Sequence, residues 1–170
     1  MLELLAERTD DRALRHLFAT FPSGVVAICA EIDGAPCGFA VSTLVPVSLD
    51  PPLILFCVQR SSTTWPRLST AERLGLSLLG ADQHHAARAL AGPGGERFRD
   101  LRVHRGDRDA VFIDSATCWV EGSVHSTVDA GDHLVVILGI HRTATRDGGR
   151  PLVFHDHGFR RLQETEARTG

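Results

Sequence analysis

The stretch GFAVSTLVPVSLDPPLILFCVQRSST, residues 38–63, decides the fold. Its two halves are apolar runs of the kind that forms β-strands. Between them lies the segment SLDPP, residues 48–52. Consecutive prolines remove two backbone donors and fix two φ angles, so this segment is not expected to be strand. The stretch therefore predicts a strand, a rigid corner and a second strand.

Short hydroxyl side chains gather around this corner. They are Ser42 and Thr43 in the first strand, Ser48 at the corner, and Ser61, Ser62, Thr63 and Thr64 after the second strand. A hydroxyl both donates and accepts, which suits a flat polar ring whose redox state changes. Hydroxyls at the start of a helix suit a phosphate, because free N–H groups and the helix dipole favour an anion. The pattern favours a flavin site, although ordinary strand residues and a plain N-cap also fit.

The composition indicates a globular chain and narrows the chemistry. The 170 residues are 43% hydrophobic and 23% charged, with a net charge of −3 at pH 7, so we expect no nucleic-acid binding. All eighteen basic residues are arginine and tyrosine is absent. A lysine Schiff base, a P-loop lysine and a tyrosine acid are therefore excluded. Any reaction must rely on histidine, hydroxyls, backbone amides or a cofactor.

The chain shows no sign of a membrane segment or of a metal site. No apolar run reaches the roughly 18 residues of a membrane helix, and the N-terminal MLELLAERTDDR is acidic, so we expect a cytoplasmic protein. The four cysteines lack C-x-x-C spacing and are interpreted as small hydrophobic residues. The sequence HDH at 155–157 offers two imidazoles on one face of a strand, but no third ligand accompanies them.

Periodicity and turn residues predict mainly antiparallel strands. The predicted helices cover 12–20 with Asp10 or Thr9 as cap, a short segment to 69 capped by Ser61 or Ser62, and 82–90. The predicted strands cover 24–32, 36–46, 53–58 (buried on both faces), 73–79, 117–128, 132–145 and 151–155, and the charged segment 96–110 is expected to be a surface connection over a ligand. Tight turns join neighbouring strands. The expected fold is an antiparallel barrel with a few peripheral helices, in one domain over 1–170 with a core of about 14–162.

His133 is the candidate for contact with a second ring. It follows the turn at 129–132, and such a position lets a side chain point into the mouth of a barrel. A turn histidine bonded to Asp132 is the simpler alternative. Trp65 is expected to pack in the core rather than to cover the ring.

Seven segments, in this order, resemble the flavin reductase family that supplies reduced flavin to two-component monooxygenases, a branch of the FMN-binding split-barrel proteins. They are FPSGV (21–25), GFAVST (38–43), VSLDPP (47–52), FCV with SST (56–58, 61–63), LGADQ (79–83), GDH with Gly139 (131–133), and PLVFH (151–155). Together they span about 18–162. The resemblance implies a Greek-key split barrel, an NAD(P)H-dependent reductase of FMN or FAD, a homodimer and a separate monooxygenase partner.

The resemblance also implies roles for individual residues. Those expected to line the isoalloxazine ring are Gly38, Phe39, Ala40, Val41, Ser42, Thr43 and Ser48. Those expected beside the ring, the ribityl chain or the phosphate are Cys57, Val58, Gln59, Ser61, Ser62, Thr63, Ala81, Asp82, Gln83 and Phe98. His133 is placed where the nicotinamide of NADH or NADPH stacks, and His155 near the flavin or the dimer partner.

Two other functions remain open at this point. The same barrel also occurs as a non-catalytic flavin- or haem-binding module. An oxidase of the pyridoxamine-phosphate type would need basic residues for its substrate phosphate, and Arg97, Arg99 and Arg102 are candidates. The SLDPP corner resembles the reductases better.

Overall fold

The computed structural model describes residues 10–163 of the chain. Its helices are α1 (Asp11–Ala19), α2 (Trp65–Leu68) and α3 (His84–Ala91). Its strands are β1 (Ser23–Gly24), β2 (Val26–Ile32), β3 (Ala35–Val41), β4 (Val45–Leu49), β5 (Pro52–Gln59), β6 (Leu74–Leu78), β7 (Val103–Arg105), β8 (Val111–Ile113), β9 (Cys118–Ala130), β10 (His133–Thr145), β11 (Leu152–His155) and β12 (Gly158–Arg161). No helix within this range is long and apolar enough to cross a membrane.

A seven-stranded antiparallel sheet forms the body of the fold. Its order is β3-β2-β6-β9-β10-β5-β4, and two smaller sheets, β1-β11-β12 and β7-β8, flank it. The large sheet curls so that β3, at one end, approaches β5, the strand next to the other end. The rings of Phe39 on β3 and Phe56 on β5 are 6.3 Å apart. This is the mainly antiparallel β architecture that the sequence predicts, with helices at the periphery.

Tight turns join the strands as expected. In the β2–β3 hairpin Ile32 pairs with Ala35, and the two turn residues Asp33 and Gly34 have positive φ angles of 55° and 77°. This is the conformation for which an Asp-Gly pair is favoured. In the β9–β10 hairpin Ala130 pairs with His133, which leaves Gly131 in the turn with a φ of 62°.

The double-proline corner is tighter than predicted. Leu49 pairs with Pro52, so only Asp50 and Pro51 form the turn, and Ser48 and Leu49 belong to β4. The prediction that 48–52 is entirely outside strands was therefore wrong. The prolines fit because Pro51 lies in the turn and Pro52 is the first residue of β5, just before the pairing of β5 with β10 begins at Leu53.

The strand predicted over 36–46 is two strands separated by a break at 42–44. In this break Thr43 Oγ1 accepts a hydrogen bond from Cys57 N (2.9 Å) and donates one to Cys57 O (3.2 Å). Strand β4 pairs with β5 only as far as Leu55. The Thr43 hydroxyl thus replaces a strand partner for the backbone of Cys57.

Other boundaries also differ from the prediction. Helix α2 has four residues with Thr64 at its N-cap, and α3 begins at His84 after Gln83 rather than at Asp82. Strand β5 alternates between buried and half-exposed residues instead of being buried on both faces. The predicted connection 96–110 contains β7, which pairs with β8, and β12 follows β11; neither β8 nor β12 was predicted.

Two apolar clusters share strand β2, whose side chains alternate between them. Ile28 belongs to the cluster inside the curled sheet with Phe56, and Trp65 packs edge-on against Phe56 with ring centroids 5.5 Å apart. Trp65 is therefore a core residue, as expected. Cys29 lies in the second cluster with Leu90 of α3, where burial raises the pKa of its thiol and keeps it neutral. All four cysteines are free.

Gly75 allows β8 to cross close above β6. A Cβ atom at Gly75 would lie 2.1 Å from the carbonyl oxygen of Val111. We expect Gly75→Ala to lower the free energy of unfolding by at least about 2 kcal/mol, measured by urea denaturation, because the backbone of β8 must move. Gly139→Ala, also within a strand but with no atom within 4 Å of the added Cβ, is the matched control and should be near neutral. Equal losses in both variants would contradict the packing argument.

Candidate active site

An open groove of about 500 Å³ lies where the end of β3, the end of β5 and the start of β10 meet. Its lining residues are Phe39, Ala40, Val41, Ser42, Thr43, Cys57, Val58, Gln59, Ser61, Ser62, Thr63, Thr64, Leu90, Ala91, Arg97 and His133. Twelve of the nineteen residues to which the resemblance assigns a role are among them. They come from three separate parts of the chain, and the curl of the sheet brings them together.

Two more of these nominated residues line a neighbouring cavity. Gly38 and Phe98 line a second cavity of about 480 Å³, which shares Thr63, Thr64 and Arg97 with the groove. The groove and this cavity therefore form a continuous surface that bends around Arg97.

The remaining five nominated residues do not line the groove. Ser48 pairs with Leu53 near the tip of the β4–β5 hairpin, and His155 ends β11 beside a turn. Ala81, Asp82 and Gln83 line a third cavity, of about 520 Å³. The Gln83 side chain accepts from Gly80 N (2.7 Å) and donates to Asp114 O (2.6 Å), so it braces a loop.

The backbone edge of β3 gives the groove its donors and acceptors. Strand β3 pairs with β2 on one side only, because it ends the seven-stranded sheet. Residues 39–41 line the groove along this free edge. Unpaired N–H and C=O groups of an edge strand are suited to hydrogen-bonding a flat polar ring.

The hydroxyls of the groove do not all have the same task. Thr43 is committed to the backbone of Cys57, and Ser62 Oγ accepts from Trp65 N (3.1 Å). Ser42 and Thr63 are exposed, and neither hydroxyl bonds to another residue within 10–163. Helix α2 has four residues and a small dipole, so its N-terminus would stabilise a phosphate only weakly. Free hydroxyls and a positive side chain must provide this binding instead.

Arg97 is that positive side chain. Its Nη1 donates to Gly38 O (2.8 Å) and Thr64 Oγ1 (2.9 Å), and its Nε donates to Gly92 O (2.8 Å). These bonds hold the half-buried guanidinium between the groove and the adjoining cavity, while Nη2 makes no hydrogen bond to the described part of the chain. From the sequence, Arg97 is a candidate only for the substrate phosphate of a pyridoxamine-type oxidase. It follows a glycine-rich turn, and no spacing in the sequence indicates that it lies beside residues 61–64.

His133 stands at the rim of the groove, about one-third exposed. Its Nδ1 bonds to Asp132 Oδ1 at 2.8 Å, and this bond lowers the pKa of the Asp132 carboxyl. Arg60 fixes the turn below, because its backbone N donates to Asp132 O (3.0 Å) and its Nε donates to Gly131 O (3.0 Å). The Asp132 contact expected for a turn histidine is therefore present, and the role of His133 towards a nicotinamide stays a prediction. The second ring nitrogen is left for other contacts.

The comparison with known proteins now gives the class. The model of the flavin reductase like domain matches residues 18–163. The chain therefore belongs to the flavin reductase family. A flavin reductase of Pseudomonas putida is 29% identical over 158 residues, which cover 92% of this chain and 93% of that protein.

Solved structures agree with this assignment. The NADH:FAD oxidoreductase SgcE6 of Streptomyces globisporus C-1027, in complex with NAD and FAD fragments, is 29% identical with a TM-score of 0.86, and the match covers 93% of this chain and 98% of that one. BorF, the flavin reductase component of a bacterial two-component tryptophan halogenase, is 32% identical with a TM-score of 0.83, over 92% of this chain and all of that one. The split-barrel fold expected from the sequence is thereby confirmed.

The position of Arg97 leads to a binding prediction. Replacing Arg97 with Ala should raise the dissociation constant for FMN by about tenfold or more, because a charge-assisted contact to the phosphate is lost. Quenching of flavin fluorescence measures it. Arg99→Ala is the control, since Arg99 is exposed, pairs with Glu96 and does not line the groove. Equal effects of the two substitutions on FMN would contradict this assignment.

Proposed function

We propose that this protein is an NAD(P)H-dependent flavin reductase that binds FMN or FAD in the groove, reduces it and releases it to a separate monooxygenase. The observation that carries the proposal is the convergence of twelve nominated residues on one open groove. Membership of the flavin reductase family and the likeness to SgcE6 and BorF support it.

The groove fits a flavin by its chemistry. The free edge of β3 offers N–H and C=O groups to the polar side of the isoalloxazine, and Ser42 adds a hydroxyl that can donate or accept. Ser61 and Thr63 lead from the ring towards Arg97, which would bind the phosphate. The hydroxyls and Arg97 provide the anion contacts that a lysine supplies in other phosphate sites.

The protein contributes orientation rather than acid–base chemistry. When bound, the flavin supplies the chemistry by accepting a hydride from the reduced nicotinamide. His133, held by Asp132, would position the nicotinamide over the open face of the groove. Because Nδ1 of His133 is engaged with the Asp132 carboxylate, Nε2 is the ring nitrogen that remains for a contact in the groove.

The openness of the groove supports release of the product. Ser42, Thr43, Ser61 and Thr63 are all exposed, and one arginine provides the positive charge of the lining. Such a site holds a flavin by a small number of exchangeable contacts. This favours reversible binding, which transfer of reduced flavin to a monooxygenase requires.

The decisive experiment is an activity grid. Purified protein is mixed with NADH or NADPH and with FMN or FAD, and the loss of nicotinamide absorbance is followed. We expect turnover in at least one combination, with free reduced flavin recovered by ultrafiltration. A protein that retains flavin through dialysis but oxidises no nicotinamide would instead be the non-catalytic binding module.

His133→Ala should raise the KM for the nicotinamide by about tenfold while changing the dissociation constant of the flavin much less, because the side chain lies at the rim rather than beside β3. Steady-state kinetics and fluorescence titration measure the two effects. His85→Ala is the control, since His85 is exposed on α3 and does not line the groove. If the variant instead binds flavin more weakly and keeps the wild-type KM for the nicotinamide, His133 contacts the flavin and the proposed role is wrong.

We also propose that the chain functions as a homodimer. One face of the β9-β10-β5-β4 part of the sheet carries the exposed Val45 and Val128, with the half-buried Leu55, Val135 and Ile137 between them. Val47 and Leu49 are also exposed on the edge strand β4, and Leu49 is 96% exposed. An apolar patch of this kind on a sheet face indicates a protein interface. The edge strand β4, which holds three of these residues, adjoins the break at Thr43, so the interface would border the groove.

Val47→Asp should shift the protein towards the monomer, because a charge buried in an apolar interface is not compensated. Light scattering coupled to size-exclusion chromatography measures the mass. Leu162→Asp, which changes an equally exposed apolar residue elsewhere, serves as control. A wild-type chain that elutes as a monomer at all concentrations would refute the dimer.

A further inference from the structure

The cavity that adjoins the flavin groove has no role in the reaction described so far. We call it the arginine cleft and define it by Arg67, Arg97, Phe98 and Arg99, which line it together with the start of β3 and the glycine-rich turn at 94–95. Its volume of about 480 Å³ is close to that of the groove itself. Each of the two spaces falls within the size range of a small-molecule site.

The lining of the arginine cleft is positive. Among residues 10–163, those that line it include three arginines and no aspartate, glutamate or histidine. Arg67 and Arg99 pair with Asp33 and Glu96, but all four side chains are exposed, and such pairs are weak and exchange readily with another anion. Because guanidinium groups bind phosphate in a bidentate manner, the cleft suits a phosphorylated ligand.

The other walls of the cleft are apolar. Ile32, Pro36 and the half-buried Phe98 line it. A flat heterocycle can pack against these side chains and can also stack on a guanidinium plane. Positive groups next to an apolar wall are the combination that a nucleotide requires, since its phosphates are charged and its base is flat.

The connection between the groove and the arginine cleft indicates whether a mononucleotide or a dinucleotide fits both spaces. The phosphate of a bound FMN would lie near Arg97, which borders both spaces. A mononucleotide ends there, so it leaves Arg67, Phe98 and Arg99 without a ligand. A dinucleotide continues past this point with a second phosphate and an adenosine.

We infer that the arginine cleft binds the adenosine diphosphate end of a dinucleotide whose other end reacts in the groove. This inference rests on the proposed flavin reductase function. Two dinucleotides carry this end, FAD and the nicotinamide cosubstrate. The cleft thus makes the protein selective for a dinucleotide over the corresponding mononucleotide.

Gly94 offers a way to fill the cleft. A Cβ atom added at Gly94 would have no neighbour within 4 Å in the described part of the chain, and the φ angle of Gly94 is not positive. Gly94→Phe should therefore obstruct the cleft without strain in the backbone, and Gly94→Ala is the matched control. The double variant Arg67→Gln and Arg99→Gln removes charge without adding bulk, and so covers the case in which Gly94→Phe does not fold.

The first measurement uses ADP as probe and does not depend on turnover. Isothermal titration calorimetry should show ADP binding to the wild-type protein and to Gly94→Ala. Binding should weaken by about tenfold or more in Gly94→Phe and in the double arginine variant. Absence of ADP binding to the wild type, or equal binding to all four proteins, would overturn the inference even if the enzyme reduces flavin normally.

The second measurement identifies which dinucleotide, FAD or the nicotinamide cosubstrate, places its adenosine diphosphate in the cleft. KM values are compared for FAD against FMN and for NADH against reduced nicotinamide mononucleotide. If Gly94→Phe raises the KM for FAD alone, the cleft holds the adenylate of FAD; if it raises the KM for NADH alone, it holds that of the cosubstrate. Loss of both mononucleotide activities together would mean that the substitution damages the groove, and unchanged values for all four would contradict the inference. A chain that binds ADP but reduces no flavin would refute the proposed function and leave the cleft intact.

Discussion

The hydrogen bonds between the Thr43 hydroxyl and both backbone groups of Cys57 are the constraint on which the groove depends. Through these bonds the chain passes from β3 to β4 while the backbone groups of Cys57 on β5 stay hydrogen-bonded. Unpaired backbone groups in a buried or half-buried strand would lower the stability of the fold. The break that results keeps β4 away from the last residues of β5. The space left there is the groove.

Two consequences follow from this break. The free edge of β3 and the end of β5 face each other across the groove instead of closing into a continuous ladder, so backbone groups are available to a ligand. The β9–β10 turn, held by Arg60, brings His133 to the rim beside Gln59 of β5. The proposed binding of two stacked rings would therefore need few specialised side chains, which agrees with a chain that contains no lysine or tyrosine.

Electrostatic features of the site arise from segments far apart in sequence. Arg97 reaches the carbonyl of Gly38 and the hydroxyl of Thr64, and it lies at the junction of the groove and the arginine cleft. The positive lining of the cleft contrasts with the net charge of −3 of the chain. The overall charge therefore says nothing about the local field that a phosphate meets.

The sequence predicted most strands and hairpin turns, because alternation, Asp-Gly pairs and caps are local signals. It missed the break at 42–44, since a side chain that replaces a strand partner leaves no pattern, and it missed β8 and β12, which are short. It nominated the groove lining from 39–43, 57–59 and 61–63. It also nominated Ser48, residues 81–83 and His155, which do not line the groove. By itself the sequence determined the antiparallel β class, the hydroxyl-rich segments and the restricted chemistry. Only the tertiary structure decided which of these segments meet and that Arg97 lies between two cavities, because the curl of the sheet and its long-range contacts set these distances.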